Sequence, residues 1–239
     1  MASQTKTALI TGANKGIGFE VARQLGKAGF SILLGARNVA LGEQAAAKLR
    51  AENIDVRAIE LDITRPETIA AAASAIPSLD VLVNNAGIVD PGDGLPSTAQ
   101  PEALERILRT NFVGAVSVTQ ALLPLLRKAP SARLVNVSSG LGSLTLHSDP
   151  GWPYASVKIL GYCASKAAMN MFTVQLAWEL RDTKIKVNSA DPGYTKTDLN
   201  NNQGHQTVEE GAAETIRLAL LPDDGPTGGF SANEGPQPW

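Results

Sequence analysis

The feature that most constrains this chain is its regular alternation of short apolar runs with longer helical patterns. The predicted strands are residues 8–11, 31–35, 56–61, 80–83, 133–137 and 185–190. The predicted helices are residues 17–29, 40–52, one opening at Pro66, 101–126, 162–180 and 208–221. Strands that alternate with helices favour a parallel sheet covered on both faces, since each crossover places a helix on the sheet. The sequence therefore predicts an α/β fold whose ligand site lies at the carboxyl ends of the strands.

Length and composition narrow the functional classes. The 239 residues fit one domain over residues 1–239, and a net charge of −2 indicates neither a nucleic-acid partner nor an anionic membrane surface. No apolar stretch is long enough to span a bilayer, and the first residues have no apolar core typical of a secretory signal. Cys163 is the single cysteine, and His147 and His205 are the two histidines, so we expect no disulfide and no metal. We expect a cytoplasmic protein.

A glycine-rich turn joins the first predicted strand to the first predicted helix. Glycines lack Cβ, so the backbone can approach a diphosphate, and a helix N-terminus presents free N–H donors to its charge. An ordinary tight turn is the alternative, but three glycines in this context favour the phosphate interpretation. The predicted phosphate-binding residues are Gly12, Asn14, Lys15, Gly16, Ile17 and Gly18.

The end of the second predicted strand indicates which dinucleotide is bound. An acid usually stands there and binds the adenosine ribose hydroxyls. In this chain the sequence reads Gly-Ala-Arg37-Asn38, without an acid. The Arg37 guanidinium can pair with a 2′-phosphate, and Lys15 can join it. This end of the strand therefore favours NADP(H), and Asn38, the next residue, is predicted to bind the cofactor as well.

Two more strand ends and one helix fit a bound nucleotide. The strand-end residues are Asp62, Ile63, Asn85, Ala86 and Gly87. Asp62 can offer a carboxylate to the adenine amino group, and the small residues after the fourth strand allow close contact. Asn111 is an unfavourable residue in an otherwise apolar helix. It is either a core residue whose hydrogen bonds are all made within the protein or a group that orders water or backbone beside an active site.

Residues 138–166 contain two serines and two Tyr-x-x-x-Lys pairs, Tyr154 with Lys158 and Tyr162 with Lys166. Residues four apart on a helix share a face, so the ammonium can lie near the phenol and lower its pKa. A phenol tuned in this way can deliver or remove a proton during catalysis. One such pair alone is a common accident on amphipathic helices, so the neighbouring motifs must decide its meaning.

Those motifs resemble the short-chain dehydrogenase/reductase family. TGANKGIG, NNAG, Asn111, NVSS, YCASK and DPGYTKT stand in the family's order and spacing across essentially the whole chain. The resemblance implies a Rossmann-like, doubly wound parallel sheet of about seven strands with helices on both faces. It also matches Lys15 and Arg37 to the NADP-preferring pattern of the family's carbonyl reductases. By motif, the resemblance adds as cofactor-binding residues Pro192, Gly193, Thr195 and Thr197, together with Tyr162 and Lys166.

The resemblance implies NADPH-dependent reduction of ketones or aldehydes to alcohols, in a reversible reaction. Hydride would come from nicotinamide C4, and Tyr162 would supply the proton while Ser139 holds the substrate oxygen. Lys166 would lower the pKa of Tyr162 and bind the nicotinamide ribose, and Asn111 would support the lysine through water.

Alternatives concern the reaction, the catalytic pair and the substrate. An NAD-dependent hydroxysteroid or sugar-alcohol dehydrogenase is one rival, and a catalytically silent nucleotide-sensing protein is another. We favour Tyr162 over Tyr154 as the acid, because a proline-free helical run follows Tyr162. The predicted pocket residues favour an apolar or aromatic carbonyl or alcohol, and they are Leu141, Trp152, Tyr154 and Tyr194. The sequence leaves homo-oligomerisation open.

Overall fold

The computed structural model describes residues 5–239, and in that range the strands form one sheet in the order β3-β2-β1-β4-β5-β6-β7-β8. The first seven strands run parallel, and the two-residue β8 pairs antiparallel with β7. The prediction of a doubly wound parallel sheet of about seven strands is therefore confirmed. The strands are β1 (Thr7–Ile10), β2 (Ser31–Ala36), β3 (Val56–Glu60), β4 (Val81–Asn84), β5 (Arg133–Val137), β6 (Lys186–Ala190), β7 (Phe230–Ala232) and β8 (Gly235–Pro236).

Helices cover both faces of the sheet. They are α1 (Gly16–Lys27), α2 (Val39–Ala51), α3 (Pro66–Ala75), α4 (Pro101–Leu108), α5 (Ala115–Leu126), α6 (Leu144–Ser148), α7 (Leu160–Glu179) and α8 (Val208–Ala219). Within the described residues, no helix has both the length and the apolar character needed to cross a bilayer.

The core has two halves because successive strand residues point to opposite faces. Ile10 of β1 and Val83 of β4 pack on the side of α1, α2 and α8. Leu9 and Leu82, one residue earlier on the same strands, pack on the side of α3, α5 and α7. Both faces of the central strands are thus buried, which explains why these strands read as continuous apolar runs.

Strand order fixes where a ligand can enter. The chain leaves β1 toward β2 and β3 on one side, then returns to place β4 on the other side of β1. The connections after β1 and β4 therefore diverge, leaving a crevice at the carboxyl ends of these two strands. The glycine turn follows β1, and Asn85 follows β4, so two predicted motifs flank this crevice.

The structure corrects two parts of the predicted helix and strand map. The predicted helix over residues 101–126 is interrupted by a π-helical turn at Arg109–Gly114, while Pro124 lies inside a continuous α5. The C-terminal tail has the composition of an irregular segment, yet it supplies β7, which extends the sheet beside β6. A strand of three residues in a stretch rich in Gly and Pro gives too little periodicity to be recognised in the sequence. The strand is held by Phe230, which is buried and stacks on Trp239 with 5.5 Å between the ring centroids.

Candidate active site

The glycine turn after β1 has the shape that a diphosphate requires. Gly12 and Gly16 have φ values of +63° and +58°, in the region that favours glycine. A Cβ on Gly12 would lie 3.0 Å from the Cα of Ala86, so the turn packs directly on the chain after β4. Helix α1 begins at Gly16 with no side-chain cap and no acid in its first turn. Its first N–H groups therefore remain available to an anion, and the turn fits the diphosphate of a dinucleotide.

Asn85 ties β4 to this turn. Its side-chain amide donates to the carbonyl oxygens of Thr11 at 2.9 Å and Gly12 at 3.3 Å, and its backbone N–H donates to Thr11 Oγ1 at 3.0 Å. The backbone N–H of Ala86 also donates to Thr11 Oγ1 at 3.0 Å. The NNAG motif thus holds the turn in shape while its backbone borders the cleft.

One cleft of about 820 Å³ runs along the carboxyl ends of the strands. The predicted cofactor residues that line it are Gly12, Asn14, Lys15, Gly16, Ile17, Gly18, Arg37, Asp62, Ile63, Asn85, Ala86, Gly87, Tyr162, Lys166, Pro192 and Thr197. The cleft thus joins the glycine turn, the ends of β2 and β3, and the start of α7. It is long and lined by backbone as well as side chains, as an extended dinucleotide needs.

Three predicted cofactor residues lie elsewhere and have structural contacts. Asn38 caps α2, because its Oδ1 accepts the Leu41 N–H at 3.0 Å. Gly193 turns the chain at φ +64°, and its N–H donates to Asp191. Thr195 is buried, and its hydroxyl donates to the Pro192 carbonyl at 2.8 Å.

Arg37 and Asp62 mark the far end of the cleft. Arg37 is exposed directly after β2. Burial alone would raise the pKa of Asp62, but hydrogen bonds from Thr64 and the charges of Arg37 and Arg65 hold that pKa below its usual value. Asp62 is therefore a carboxylate at neutral pH, and the Thr64 N–H and hydroxyl fix it at 2.9 and 2.7 Å.

Lys15 spans the mouth of the cleft. Its ammonium lies 2.7 Å from the carboxylate of Asp198, in the segment after β6, and both side chains are exposed. An exposed ion pair contributes little to stability, about 0–1 kcal/mol, so a phosphate can replace Asp198 as the partner of Lys15 at small cost.

The serine, tyrosine and lysine of the sequence motifs converge at the inner end of the cleft. Tyr162 and Lys166 lie one turn apart near the start of α7, and the Lys166 ammonium lies 5.5 Å from the Tyr162 ring centroid. Ser139 lies just beyond β5, where its hydroxyl accepts the Leu141 N–H at 3.2 Å and is near enough to the Tyr162 phenol to lower the pKa of that phenol. Lys166 is 4% exposed, and its ammonium donates to the Val137 carbonyl at 2.7 Å.

The protein's own groups move the pKa of the tyrosine upward, so the predicted downward shift is wrong. Burial is the largest cause, and the negative charge of Asp191 adds to it, whereas the hydrogen bond with Ser139 opposes it. Burial also lowers the pKa of Lys166 to about 8, against the opposing effect of Asp191. The sequence pattern revealed the spacing of the pair but not the desolvation, which outweighs charge attraction in a buried site.

Asn111 lies within the π-helical turn and is fully buried. Its Oδ1 accepts the Ile88 N–H at 2.8 Å, and its Nδ2 donates to the Ile88 carbonyl at 3.0 Å and to Ser165 Oγ at 3.1 Å. The side chain therefore fixes the backbone after β4 against α7, one residue from Lys166. Such turns are frequent at functional sites because they re-aim a short stretch of helix.

Asp93, which the sequence did not single out, caps α7 from a distant loop. Its Oδ1 accepts the N–H of Gly161 at 2.8 Å, and its Oδ2 accepts the N–H of Tyr162 at 2.9 Å. The Gly94 carbonyl accepts the Leu160 N–H at 2.9 Å. Three N–H groups in the first turn of α7 are thus satisfied by residues 93–94, in place of the local Ser, Thr, Asn or Asp that usually caps a helix.

The predicted pocket residues lie outside the lining of the main cleft, and Trp152 packs near Gly140, the residue after Ser139. Aromatic rings form a continuous arc in the order His147, Trp152, Tyr154, Tyr194 and His205. The centroids of successive rings lie 5.2, 5.5, 6.1 and 5.9 Å apart. The arc joins the segment that contains α6 to the loop after β6.

The second tyrosine–lysine pair has a different geometry from the first. Tyr154 lies in consecutive turns and not on a helix, and its neighbours in the arc are Trp152 and Tyr194. Lys158 is exposed, as expected for a solvated charge, but its ammonium lies 3.2 Å from His147 Nδ1. Burial and the Lys158 charge lower the pKa of His147.

Other residues of the cleft carry no signal in the local sequence. They include Arg106, Arg109, Lys196, Asp198 and Asn202. Surface cations and amides at such positions resemble any solvated face, so only the folded chain shows that they border the cleft.

The fold and the site together define an oxidoreductase with a dinucleotide cleft and a Ser-Tyr-Lys group at its inner end. The model of the short chain dehydrogenase family matches residues 6–208. Salutaridine reductase of Papaver bracteatum is 33% identical in an alignment of 298 positions, gaps included. The alignment covers 95% of this chain and 94% of that protein. Carbonyl reductase (NADPH) 1 of Mus musculus is 33% identical over 287 residues and 100% of each chain.

A solved structure agrees with these relatives. The crystal structure of NADPH-bound carbonyl reductase from chicken fatty liver superposes with a TM-score of 0.85 at 26% identity, covering 99% of this chain and 100% of that one. The chain belongs to the short-chain dehydrogenase family and is an oxidoreductase acting on CH–OH and C=O groups.

The cap of α7 gives a first prediction. Asp93→Ala leaves the N–H groups of Gly161 and Tyr162 without their acceptor, and the loss of a helix cap costs about 0.5–2 kcal/mol. We expect the free energy of unfolding, measured by chemical denaturation, to fall by this amount. Asp224→Ala, at an exposed turn, is the matched control. Equal unfolding free energies for the two variants would contradict the capping role.

Proposed function

We propose that this protein is an NADPH-dependent carbonyl reductase that converts ketones or aldehydes into alcohols. The observation that carries the proposal is that Tyr162 and Lys166 line the dinucleotide cleft together, with Ser139 near the Tyr162 phenol. NADPH, when bound, supplies the hydride that reduces the carbonyl carbon.

Tyr162 is the proton donor in this proposal. Its raised pKa means that the phenol keeps its proton at neutral pH, as an acid in a reduction must. Ser139 holds the substrate oxygen by a hydrogen bond and stabilises the charge that develops there. Alcohol oxidation, the reverse reaction, would use the same phenol after it has lost its proton.

Lys166 and Asn111 support the reacting group. The Lys166 ammonium is fixed by the Val137 carbonyl and is directed into the cleft, where it can also bind a ribose hydroxyl of the cofactor. Asn111 holds the backbone of Ile88 and the Ser165 hydroxyl, so it keeps the wall beside the lysine rigid.

NADP(H) is the cofactor that the far end of the cleft supports. Arg37 stands where an acid would bind ribose hydroxyls, and Lys15 lines the same cleft with an exchangeable partner, Asp198. Both cations can bind a 2′-phosphate, which NADP(H) carries and NAD(H) lacks. Carbonyl reductase relatives and the chicken structure bear NADPH in their names.

The aromatic arc supports an apolar or aromatic substrate. Trp152, Tyr154 and Tyr194 form a continuous ring surface that reaches Gly140, the residue after Ser139, and such surface gains most from a flat apolar partner. A sugar alcohol would leave its hydroxyl groups without partners against these rings, which disfavours that rival. Intact Ser139, Tyr162 and Lys166 disfavour the rival in which the protein only senses a nucleotide.

The direct test compares NADPH and NADH oxidation with a panel of aromatic, aliphatic and hydroxylated carbonyl compounds. We expect NADPH to be strongly preferred by the wild-type protein. In Arg37→Asp, the introduced carboxylate repels the 2′-phosphate, so kcat/KM for NADPH should fall by at least about tenfold while that for NADH changes less.

Arg57→Asp is the matched control for this charge reversal, because Arg57 is exposed on β3 and lies outside the cleft lining. It should leave the cofactor preference unchanged. Equal use of NADH and NADPH by the wild type would contradict the assignment of NADP(H).

The two tyrosines provide a sharper test of the site. Tyr162→Phe removes one hydroxyl and keeps the ring, so turnover should fall by about 10²–10⁴-fold while NADPH still binds. Tyr154→Phe should alter KM or stereochemical preference and leave the rate within about tenfold, as a pocket wall would.

Both variants are compared by steady-state reduction of one good ketone, with NADPH binding followed separately by fluorescence. An inactive Tyr154→Phe beside an active Tyr162→Phe would transfer the proton-donor role to Tyr154. In that case Lys158 would replace Lys166 as the lysine that supports the proton donor.

A further inference from the structure

A chain of hydrogen bonds leads from an exposed lysine to the turn that carries Ser139. The Lys158 ammonium lies 3.2 Å from Nδ1 of His147, and Nε2 of the same ring lies 3.1 Å from the Leu141 carbonyl oxygen. The Leu141 N–H in turn donates to Ser139 Oγ at 3.2 Å. The segment between β5 and α7 is thus connected to the residue that holds the substrate oxygen in the proposed function.

The chemistry of its two partners fixes the tautomer of His147. An ammonium group has three donors and no acceptor, so Nδ1 must accept from Lys158 and carries no hydrogen. A carbonyl oxygen can only accept, so Nε2 must carry the hydrogen and donate it to Leu141. Both contacts therefore require the same neutral form of the ring, with its hydrogen on Nε2.

Packing holds the imidazole ring as well. His147 lies at the end of α6, whose first residue follows Ser143, and Ser143 Oγ caps this short helix by accepting the Leu146 N–H at 3.1 Å. The ring meets Trp152 edge to face, with 5.2 Å between the centroids. A Cβ built on Gly140 would lie 3.3 Å from the Trp152 ring, so the indole packs on the same turn. His147 therefore holds the turn by a hydrogen bond and, through Trp152, by packing.

The hydrogen bond from Leu141 constrains the direction of the Ser139 hydroxyl. A hydroxyl has one hydrogen and two acceptor lone pairs. The Leu141 N–H occupies one lone pair, so the hydroxyl hydrogen stays available to a second acceptor such as a substrate carbonyl oxygen. The Gly142 N–H donates to the Ser139 carbonyl at 2.8 Å and closes the turn. Because His147 holds the carbonyl of Leu141, movement of His147 would also move the N–H that orients Ser139.

We propose that His147 is a positioning residue, held by Lys158, which fixes the turn after β5 so that the Ser139 hydroxyl donates its hydrogen to the substrate oxygen. This inference rests on the proposed reductase function. His147 acts on Leu141 and not on the reacting atoms, while Lys158 acts on the tautomer of His147. The lysine of the second Tyr-x-x-x-Lys pair thus has a role that does not involve its tyrosine.

The test is a double-mutant cycle between His147 and Ser139, measured as kcat for NADPH-dependent reduction of one good ketone. His147→Phe keeps an aromatic ring against Trp152 and removes both hydrogen bonds, so kcat should fall by about tenfold. In the Ser139→Ala background the same change should alter kcat by less than about twofold, because no hydroxyl remains to be oriented. The Kd of NADPH should stay unchanged in both backgrounds. Losses of equal size in the two backgrounds would overturn the proposal.

His147→Gln is the matched rescue variant. The glutamine amide has N–H donors for the Leu141 carbonyl and an oxygen that can accept from Lys158, but it lacks the aromatic ring. If the hydrogen bonds orient Ser139, kcat should return to within about threefold of the wild-type value. A glutamine variant as slow as His147→Phe would instead assign the effect to the ring and its packing, and would contradict the proposed role.

A second measurement needs no turnover. The chain has two histidines, so the ring nitrogen signals of His147 can be assigned by nitrogen NMR against His205→Gln. At neutral pH the wild type should carry the hydrogen on Nε2 and none on Nδ1. Burial and the Lys158 charge lower the pKa of His147, so Lys158→Met should raise that pKa.

Lys48→Met is the matched control for this titration, since Lys48 is exposed on α2 and should leave the pKa of His147 unchanged. A hydrogen on Nδ1 in the wild type, or the same pKa of His147 in Lys158→Met as in the wild type, would overturn the proposal. Either result would mean that Lys158 does not hold the ring.

The two measurements separate this proposal from the proposed function. A wild type that shows the Nε2–H tautomer but reduces no carbonyl compound would refute the reductase function alone. An active wild type with equal losses in the two backgrounds would refute the role of His147 alone.

Folding is checked by thermal denaturation of each variant. Should His147→Phe fail to fold, His147→Asn replaces it, because the shorter amide ends before the position of Nε2 and loses the contact with Leu141. The same loss of about tenfold in kcat is expected, again only with Ser139 present. Failure of both variants to fold would assign His147 to folding and overturn the proposal.

Discussion

The burial of one ammonium group organises this active site. Lys166 is 4% exposed, and holding a positive charge there requires fixed partners, which the protein provides as the Val137 carbonyl and the nearby Asp191 carboxylate. The end of β5, the start of α7 and the loop after β6 must therefore meet at one point. A Cβ on Gly142 would lie 2.7 Å from the Lys166 carbonyl carbon, so even the turn after Ser139 is fitted to this helix.

Desolvation sets the direction in which the pKa values of Tyr162 and Lys166 move at that point. A charged lysine beside a phenol suggests an easily ionised tyrosine, but the same enclosure that holds the lysine makes phenolate unfavourable. The outcome is a tyrosine that keeps its proton and a lysine whose pKa is lowered to about 8. The protonation state of each of these polar groups thus depends on the protonation states of the others.

Residues whose chemistry depends on local spacing were predictable, and residues that act across the fold were not. The glycine turn and the Tyr162–Lys166 pair follow from short motifs, because a helix places positions one turn apart on one face and a turn needs glycine. Asp93 and Asp191 look like ordinary loop acids in the sequence. Asp93 acts because the fold brings it to Tyr162, 69 residues away, and Asp191 lies against Gly140, where a Cβ would come within 3.0 Å of its carboxylate. The π-helical turn around Asn111 likewise depends on tertiary contacts with Ile88 and Ser165.

The cap supplied by Asp93 couples two segments that are far apart in the chain. Opening of the loop of residues 87–100 would remove the acceptor from the amides of Gly161 and Tyr162, which links the order of that loop to the first turn of α7. The hydrogen-exchange rates of these two amides would then report loop order directly. A ligand that orders the loop would slow exchange at the start of α7 without contacting that helix.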